Sequence, residues 1–293
     1  MEITRELAQK VLSVVDAGLA SGLGKPVPGQ MCVEAAVNYA LGGEHNDIPA
    51  CVGSAVRAFK IRLNDAPWPS KEARTKGMRK LAIAQLGSEI DQNEFRQIVV
   101  VGTVRRILPI ALRASGSLIP AHKDALEGAA VACAAVRDGE AARVVTSEAL
   151  EVSSRMATRA ARSSALAAHA AAEAAALAAE AAYNDADAAF SDEAAALAAE
   201  AADSAFAAHA AAEAAALAAD LVADEAAYAT ASSAAHNAAE AAEAAADAAA
   251  YVDADAADAA RLKVLTIAAE IGLEALIQLK SPGCQWLDLC DDV

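Results

Sequence analysis

Aromatic side chains are scarce in this sequence. Its 293 residues include 2 Trp, 4 Tyr and 4 Phe, and alanine makes up most of the 56% hydrophobic share. Because large aromatic residues dominate the area buried in ordinary cores, a conventional core cannot extend along the whole chain. Residues 1–115 contain mixed Val, Ile, Leu and Met and most of the Gly and Pro, so an ordinary globular fold is expected there.

Helix-breaking residues are absent from a long internal stretch. Neither Gly nor Pro occurs between Gly139 and Gly272, and Ala is the best helix former. No segment alternates with strand period for long. The sequence therefore predicts an all-α fold, with Ser70 as a helix N-cap and a kink at Pro109. The N-terminal helices are expected over residues 3–17, 31–41, 51–64, 71–86, 91–112 and 122–137.

Basic residues are missing from residues 163–260, which contain 18 Asp and Glu and no Lys or Arg. The formal charge of this stretch is −18 in a chain of net charge −16, whereas residues 1–115 carry +4. We call residues 163–260 the acidic block. An acid every few residues is costly inside a bilayer, so no membrane span is expected.

Cysteine is limited to five residues with no CxxC pair, and the N-terminus is polar, so no signal peptide is expected. Reduced thiols, a cytoplasmic location and no cofactor are the resulting expectations.

The acidic block contains an internal repeat. A ten-residue string that begins at Glu173 recurs from Glu193, and its first seven residues recur from Glu213. In one continuous helix, twenty residues rotate by about 200°, which leaves no continuous seam. A stack of antiparallel helices is therefore preferred, with a single solvated helix as the alternative. The predicted domains are 1–115, an N-terminal helical domain; 116–280, an Ala-rich acidic helical repeat; and 281–293, a C-terminal tail.

Four segments resemble a family of bacterial and phage proteins. They begin at Met31 (MCVEAAV), Ala58 (AFKIRLND), Gly77 (GMRKLAIAQLGS) and Ser281 (SPGCQWLDL). The resemblance implies a helical N-terminal region, an Ala-rich segment of variable length and a short tail, with no catalytic residue to transfer. The Ala-rich part is also similar, mostly in composition, to helical repeats of bacterial immunity proteins, which implies a role in bacterial conflict or phage defence.

A thiol site is one candidate for chemistry. Cys32 lies near the predicted start of a helix, where the helix dipole stabilises a thiolate, and His45 follows as a candidate base. The simpler interpretation is that Cys32 and Cys51 are small buried residues. Cys32, His45 and Cys51 also form a possible metal-binding set, although zinc usually takes four ligands at tighter spacing.

A second candidate is formed by His-x-x-x-Glu pairs, because residues four apart lie on one helix face. Adjacent helices would bring such pairs together as metal ligands, but local pairing on a solvated face is the favoured interpretation. The residues concerned are His169 with Glu173, His209 with Glu213, and His236 with Glu240.

A third candidate is a basic cluster, interpreted first as a solvated surface, then as a surface that pairs with acids of this chain or a partner, and last as a nucleic-acid site. Nucleic acid is disfavoured because the region carries only +4 and lacks interleaved aromatics. The cluster comprises Arg57, Lys60, Arg62, Lys71, Arg74, Lys76, Arg79 and Lys80.

The acidic block is the fourth candidate. Regularly spaced carboxylates attract basic partners over long range, although solubility alone also explains them. We interpret the chain as a non-catalytic protein that binds a macromolecular partner, with a thiol enzyme and nucleic-acid binding as alternatives and homo-oligomer formation left open. The predicted binding residues are Glu173, Glu180, Glu193, Glu200, Glu213, Asp220, Arg74 and Arg79.

Overall fold

The computed structural model describes residues 2–118, 122–139 and 256–291, together with short pieces between them. These pieces are 141–142, 144–145, 148–149, 152, 235, 239, 241–243 and 245–246. The predicted antiparallel stack over the twenty-residue repeat lies outside these residues.

The described part is helical. It contains α1 (Arg5–Asp16), α2 (Val33–Ala40), α3 (Ser54–Asp65), α4 (Lys71–Ala84), α5 (Gln92–Arg106), α6 (Leu108–Leu118), α7 (Lys123–Ala134), α8 (Ala257–Gln278) and a C-terminal 3₁₀ segment (Pro282–Cys290). Helices account for 71% of it and no strand is present in it, which confirms the all-α class. The described residues also include no helix that is both long and apolar enough to cross a membrane.

Local sequence signals explain where several helices begin. The side chains of Thr4, Ser70 and Asp91 accept hydrogen bonds from backbone N–H groups in the first turns of α1, α4 and α5, which satisfies donors that have no partner within a helix. The predicted cap at Ser70 is confirmed. The expected interruption near Pro109 is also confirmed, because α5 ends at Arg106 and α6 begins at Leu108.

Helix α8 completes the N-terminal bundle although it follows the acidic block in sequence. It packs against α3, α4 and α5. Two glycines allow the close approach: a Cβ at Gly102 of α5 would lie 2.6 Å from Ile271, and a Cβ at Gly272 of α8 would lie 2.5 Å from the Phe59 ring. Contacts this short do not occur between real side chains, so larger residues at these positions would force the helices apart.

The C-terminal 3₁₀ segment packs on α4 and α1. The Ser281 hydroxyl donates a hydrogen bond to the Ala84 carbonyl at 2.5 Å, and the Gly283 N–H donates to the Leu86 carbonyl at 2.8 Å. The indole N–H of Trp286 donates to the Ile3 carbonyl at 3.1 Å. The predicted tail is therefore packed into the bundle by backbone and side-chain contacts.

Both flanks of the acidic block meet the same part of the bundle. Before the block, α7 packs on α6 and α5; after it, α8 packs on α5. Arg106 of α5 forms ion pairs with Glu270 and Glu274 of α8, and Arg113 of α6 forms one with Glu127 of α7 at 2.8 Å. Helix α7, which precedes the block in sequence, and α8, which follows it, thus belong to one helical body, which we define as residues 2–118, 122–139 and 256–291.

Candidate functional site

The first predicted site begins at Cys32, which is the N-cap of α2. Its sulfur accepts a hydrogen bond from the Ala35 N–H at 3.4 Å, and the residue is 4% exposed. Burial is the main reason that the pKa of the Cys32 thiol is raised to about 11, and it outweighs the stabilising backbone N–H groups. A protonated thiol is a poor nucleophile. This environment therefore favours the interpretation of Cys32 as a small buried residue.

His45, the proposed base, lies in the loop after α2. Its Nε2 is 3.1 Å from the Gly24 carbonyl. The same loop is tied to α2 by Asn38, whose side-chain amide donates to the Glu44 carbonyl at 2.8 Å and to the Asn46 side chain at 2.9 Å. No hydrogen bond between Cys32 and His45 occurs in the part of the chain that the structure describes.

A buried ion pair joins α2 and α3, two residues after Cys32. Lys60 Nζ of α3 is 3.3 Å from Glu34 Oε1 of α2, and both side chains are 0% exposed. The hydrogen-bonding capacity of this pair is not used. The buried side-chain polar atoms of Glu34, Lys60 and Gln85 make no hydrogen bond of good geometry within the described residues. Unsatisfied polar atoms in a core are costly.

Desolvation dominates the electrostatics of this pair. It raises the pKa of Glu34 and lowers the pKa of Lys60, while the attraction between them acts in the opposite direction on each. The charges of Cys32 and Cys51, were these thiols ionised, would favour the protonated form of Lys60. The four residues therefore form one electrostatically coupled cluster in the core.

The sequence interpretation missed this cluster. For the basic cluster the sequence favours a solvated surface, and for Lys60 that prediction is wrong because the side chain is fully buried and pairs with Glu34 of the same chain. The signal was present in the spacing. Lys60 follows the buried Val56 by four residues and precedes the buried Leu63 by three, which places it within the apolar face of α3.

The remaining cations of the predicted basic cluster are partly used inside the fold. The Nε of Arg74 donates to the Asn64 carbonyl at 2.8 Å. Arg79 donates to both carboxylate oxygens of Asp16, at 2.7 and 3.0 Å, and to the Cys290 carbonyl at 2.7 Å. These contacts link α4 to α3, α1 and the 3₁₀ segment. They give Arg74 and Arg79 a role in the fold beside the binding role predicted for them.

The other predicted site residues lie outside the described residues. They are the predicted acidic residues and the three histidine pairs, namely His169, Glu173, Glu180, Glu193, Glu200, His209, Glu213, Asp220, His236 and Glu240. Within the described residues, no group of three or more His, Cys, Asp or Glu side chains is arranged to hold a metal ion.

Two open grooves mark the surface of the helical body. One, of about 920 Å³, runs between the start of α1, the loop after α2 and the 3₁₀ segment, with Cys51, Asn38 and Trp286 among its lining residues. The other, of about 990 Å³, lies between α4 and α8 and is mainly apolar with a cationic rim. The first is bordered by Glu2, Glu6 and Glu89, so the two grooves differ in charge.

Comparison with known proteins gives no match among family models, curated proteins or solved structures.

Proposed function

We propose that this chain is a non-catalytic interaction protein whose helical body carries the acidic block at both ends and presents it to a basic macromolecular partner. One observation carries the proposal: 18 carboxylates and no cation occupy residues 163–260. A field of one sign over so many residues attracts oppositely charged partners at long range and raises association rates.

The contacts of the helical body support this proposal. Several of its arginines form ion pairs with its own acids, including Arg5 with Asp288 and Arg79 with Asp16. Because those acids are locally compensated, the excess negative charge of the molecule is concentrated in the block.

The thiol alternative receives less support. Burial raises the pKa of Cys133 and Cys284, as it does that of Cys32, to about 11. The pKa values of Cys51 and Cys290 are also raised by burial. At neutral pH these thiols are therefore protonated, which disfavours nucleophilic chemistry.

The test compares binding of the full-length chain with that of two charge-matched variants. In the block variant, the six predicted acids Glu173, Glu180, Glu193, Glu200, Glu213 and Asp220 become Gln or Asn. In the control variant, six acids of the helical body undergo the same change: Glu2, Glu44, Asp47, Glu89, Glu94 and Asp124. Binding to a fluorescent polylysine peptide is measured over a series of salt concentrations.

We expect the block variant to bind at least tenfold more weakly than the control variant, although both have the same net charge. Binding by the wild type should weaken as salt shortens the Debye length from about 10 Å at 0.1 M to about 3 Å at 1 M. Equal loss in both variants would mean that only net charge matters. That result, or binding that salt does not change, would contradict the proposal.

A further inference from the structure

The groove between α4 and α8 has an apolar floor of a size that suits a helix. Its floor includes Leu81 of α4 and Leu262, Ala269 and Leu273 of α8. From Leu262 to Leu273 the groove follows α8 for eleven residues, or about 16 Å at 1.5 Å per residue. This length matches about three turns of a docked helix, the usual span of an amphipathic helix in a groove.

The groove is open among the residues that the structure describes. Leu262 keeps 39% of its surface exposed, and the open volume is about 990 Å³. Exposed leucine at the edge of an apolar groove is a common feature of docking surfaces. Since no described residue fills this groove, a ligand from outside the described residues fits the observation.

The rim of the groove is positive on a strongly negative molecule. Its cations are Lys71, Lys76, Arg79 and Lys80, and its acids are Asp16, Glu72 and Glu270. Asp16 is paired with Arg79, Glu270 with Arg106, and Lys80 with Asp291. Within the described residues, Lys71 and Lys76 are exposed and form no ion pair with an acid, so they are available to a negatively charged occupant.

We propose that this groove docks the acidic block of a second copy of the chain. The sequence of residues 206–225 has the required chemistry, with four acids and the apolar residues Phe206, Leu217 and Leu221. Leu217 and Leu221 are four residues apart, the spacing that places side chains on one helix face. Docking of one copy's block on the next copy's groove is a heterologous contact.

This proposal goes beyond the capture of a basic partner, because it adds a binding groove on the helical body, although both proposals use the acidic block. The net charge of −16 opposes self-association in general. Specific pairing must therefore come from local complementarity at Lys71, Lys76 and Leu262, and this allows a sharp test by matched charge reversal.

The experiment measures the mass distribution of the full-length protein by sedimentation velocity over a wide concentration range at low salt. The test variant carries Lys71→Glu and Lys76→Glu. The control carries Lys10→Glu and Lys25→Glu, which change net charge equally at two exposed lysines outside the groove. A third variant, Leu262→Gln, removes the apolar anchor without changing charge. A labelled peptide of residues 206–225 is titrated into each protein by fluorescence anisotropy.

We expect concentration-dependent self-association of the wild type and the control, and at least tenfold weaker association of the test and Leu262→Gln variants. The peptide should follow the same order and should compete with self-association. A wild type that stays monomeric at every concentration would overturn the proposal, even if the peptide binds, because the block of a second copy would then not occupy the groove. Equal association of the test and control variants would also overturn it. Neither failure would alter the polylysine result, which tests the acidic block directly.

Discussion

At the residue scale, the Glu34–Lys60 pair has the largest energetic consequences. Both groups are 0% exposed and their contact at 3.3 Å is poorly directed. Removal of one partner leaves the other charge buried alone, which typically costs about 3–5 kcal/mol, whereas replacement of both by apolar residues is often neutral or stabilising. Substitution of one partner alone is therefore expected to cost more stability than substitution of both partners by apolar residues.

We expect Lys60→Met to lower the free energy of unfolding by about 3 kcal/mol, measured by urea denaturation. The Glu34→Met, Lys60→Met double variant should recover most of that loss, because no buried charge remains. A double variant as unstable as Lys60→Met would indicate that cavity or packing effects dominate. A single variant as stable as the wild type would show that the pair is not buried as described.

The pH dependence of the same pair gives an independent prediction. The folded state raises the pKa of Glu34 above its ordinary value of 4.5, so the folded protein binds more protons than the unfolded chain as pH rises above 4.5. Stability then falls with rising pH through the raised pKa. Lys60, whose pKa is lowered by burial, has the opposite effect where it loses its proton. The wild type should therefore lose stability relative to the double variant as pH rises above 4.5, until Lys60 begins to titrate, as measured by urea denaturation. A constant difference just above pH 4.5 would contradict a raised pKa of Glu34.

Cys32 gives a prediction in the alkaline range. Its pKa is raised from about 9 in the unfolded chain to about 11 in the fold, so the folded state binds the extra proton between these values and stability is lost as pH rises through them. Cys32→Ser keeps an N-cap side chain but does not titrate there. From pH 9 to pH 11 the wild type should lose on the order of 2 kcal/mol relative to Cys32→Ser. Parallel stability curves would contradict this.

At the element scale, small residues decide how closely the helices of the body pack. Gly272 and Gly128 both lie in helices, so a change to alanine improves helix propensity equally. At Gly272, however, the new methyl group would lie 2.5 Å from the Phe59 ring and 3.3 Å from Leu81, whereas at Gly128 it would meet no atom within 4 Å. The difference in stability between the two variants therefore measures the packing effect at Gly272 separately from the gain in helix propensity.

We expect Gly272→Ala to destabilise the protein by about 1–3 kcal/mol through overpacking, and Gly128→Ala to stabilise it by about 0.5–1 kcal/mol. Thermal and urea denaturation of both variants give the comparison. Similar stabilisation in both would mean that α8 approaches α3 less closely than described.

The helices of the N-terminal region were predictable because their signals are local. Apolar spacing, Ser70 and Pro109 each act within a few residues, and the observed helices begin and end close to the expected positions. The spacing of Lys60 from Val56 and Leu63 also indicates a buried face of α3, although its charge favours a surface position. The groove between α4 and α8 depends on contacts between segments on opposite sides of the acidic block, so local patterns do not show it. The resemblance to bacterial and phage proteins stays a prediction.

At the scale of the whole molecule, the chain is one helical body interrupted by the acidic block. The C-terminal segment packs directly on the backbone at the end of α4. A Cβ at Gly283 would lie 2.0 Å from the Ile83 carbonyl oxygen, and the Ser281 hydroxyl donates a hydrogen bond to the Ala84 carbonyl. Stability of the body should therefore depend on its distant C-terminus more than on the length of the block.

Two deletions test this dependence, one of the C-terminal 3₁₀ segment and one within the acidic block. Truncation after Lys280 removes the 3₁₀ segment, exposes buried surface of α4 and leaves the Ala84 and Leu86 carbonyls without their observed partners. Deletion of residues 173–212 removes two repeat periods and joins Ala172 to Glu213, so the repeat register is preserved. We expect the truncation to lower the free energy of unfolding by at least about 3 kcal/mol, since several buried contacts are lost together.

The internal deletion should change the free energy of unfolding of the helical body by less than about 1 kcal/mol, because a longer or shorter connection alters loop-closure entropy only slowly. It should also weaken polylysine binding, since it removes eight acids. Urea denaturation and the binding titration of both deletions provide the measurements. If the internal deletion destabilised the body as much as the truncation does, the block would be part of the same cooperative unit, and the description of an insertion carried by an independent body would be wrong.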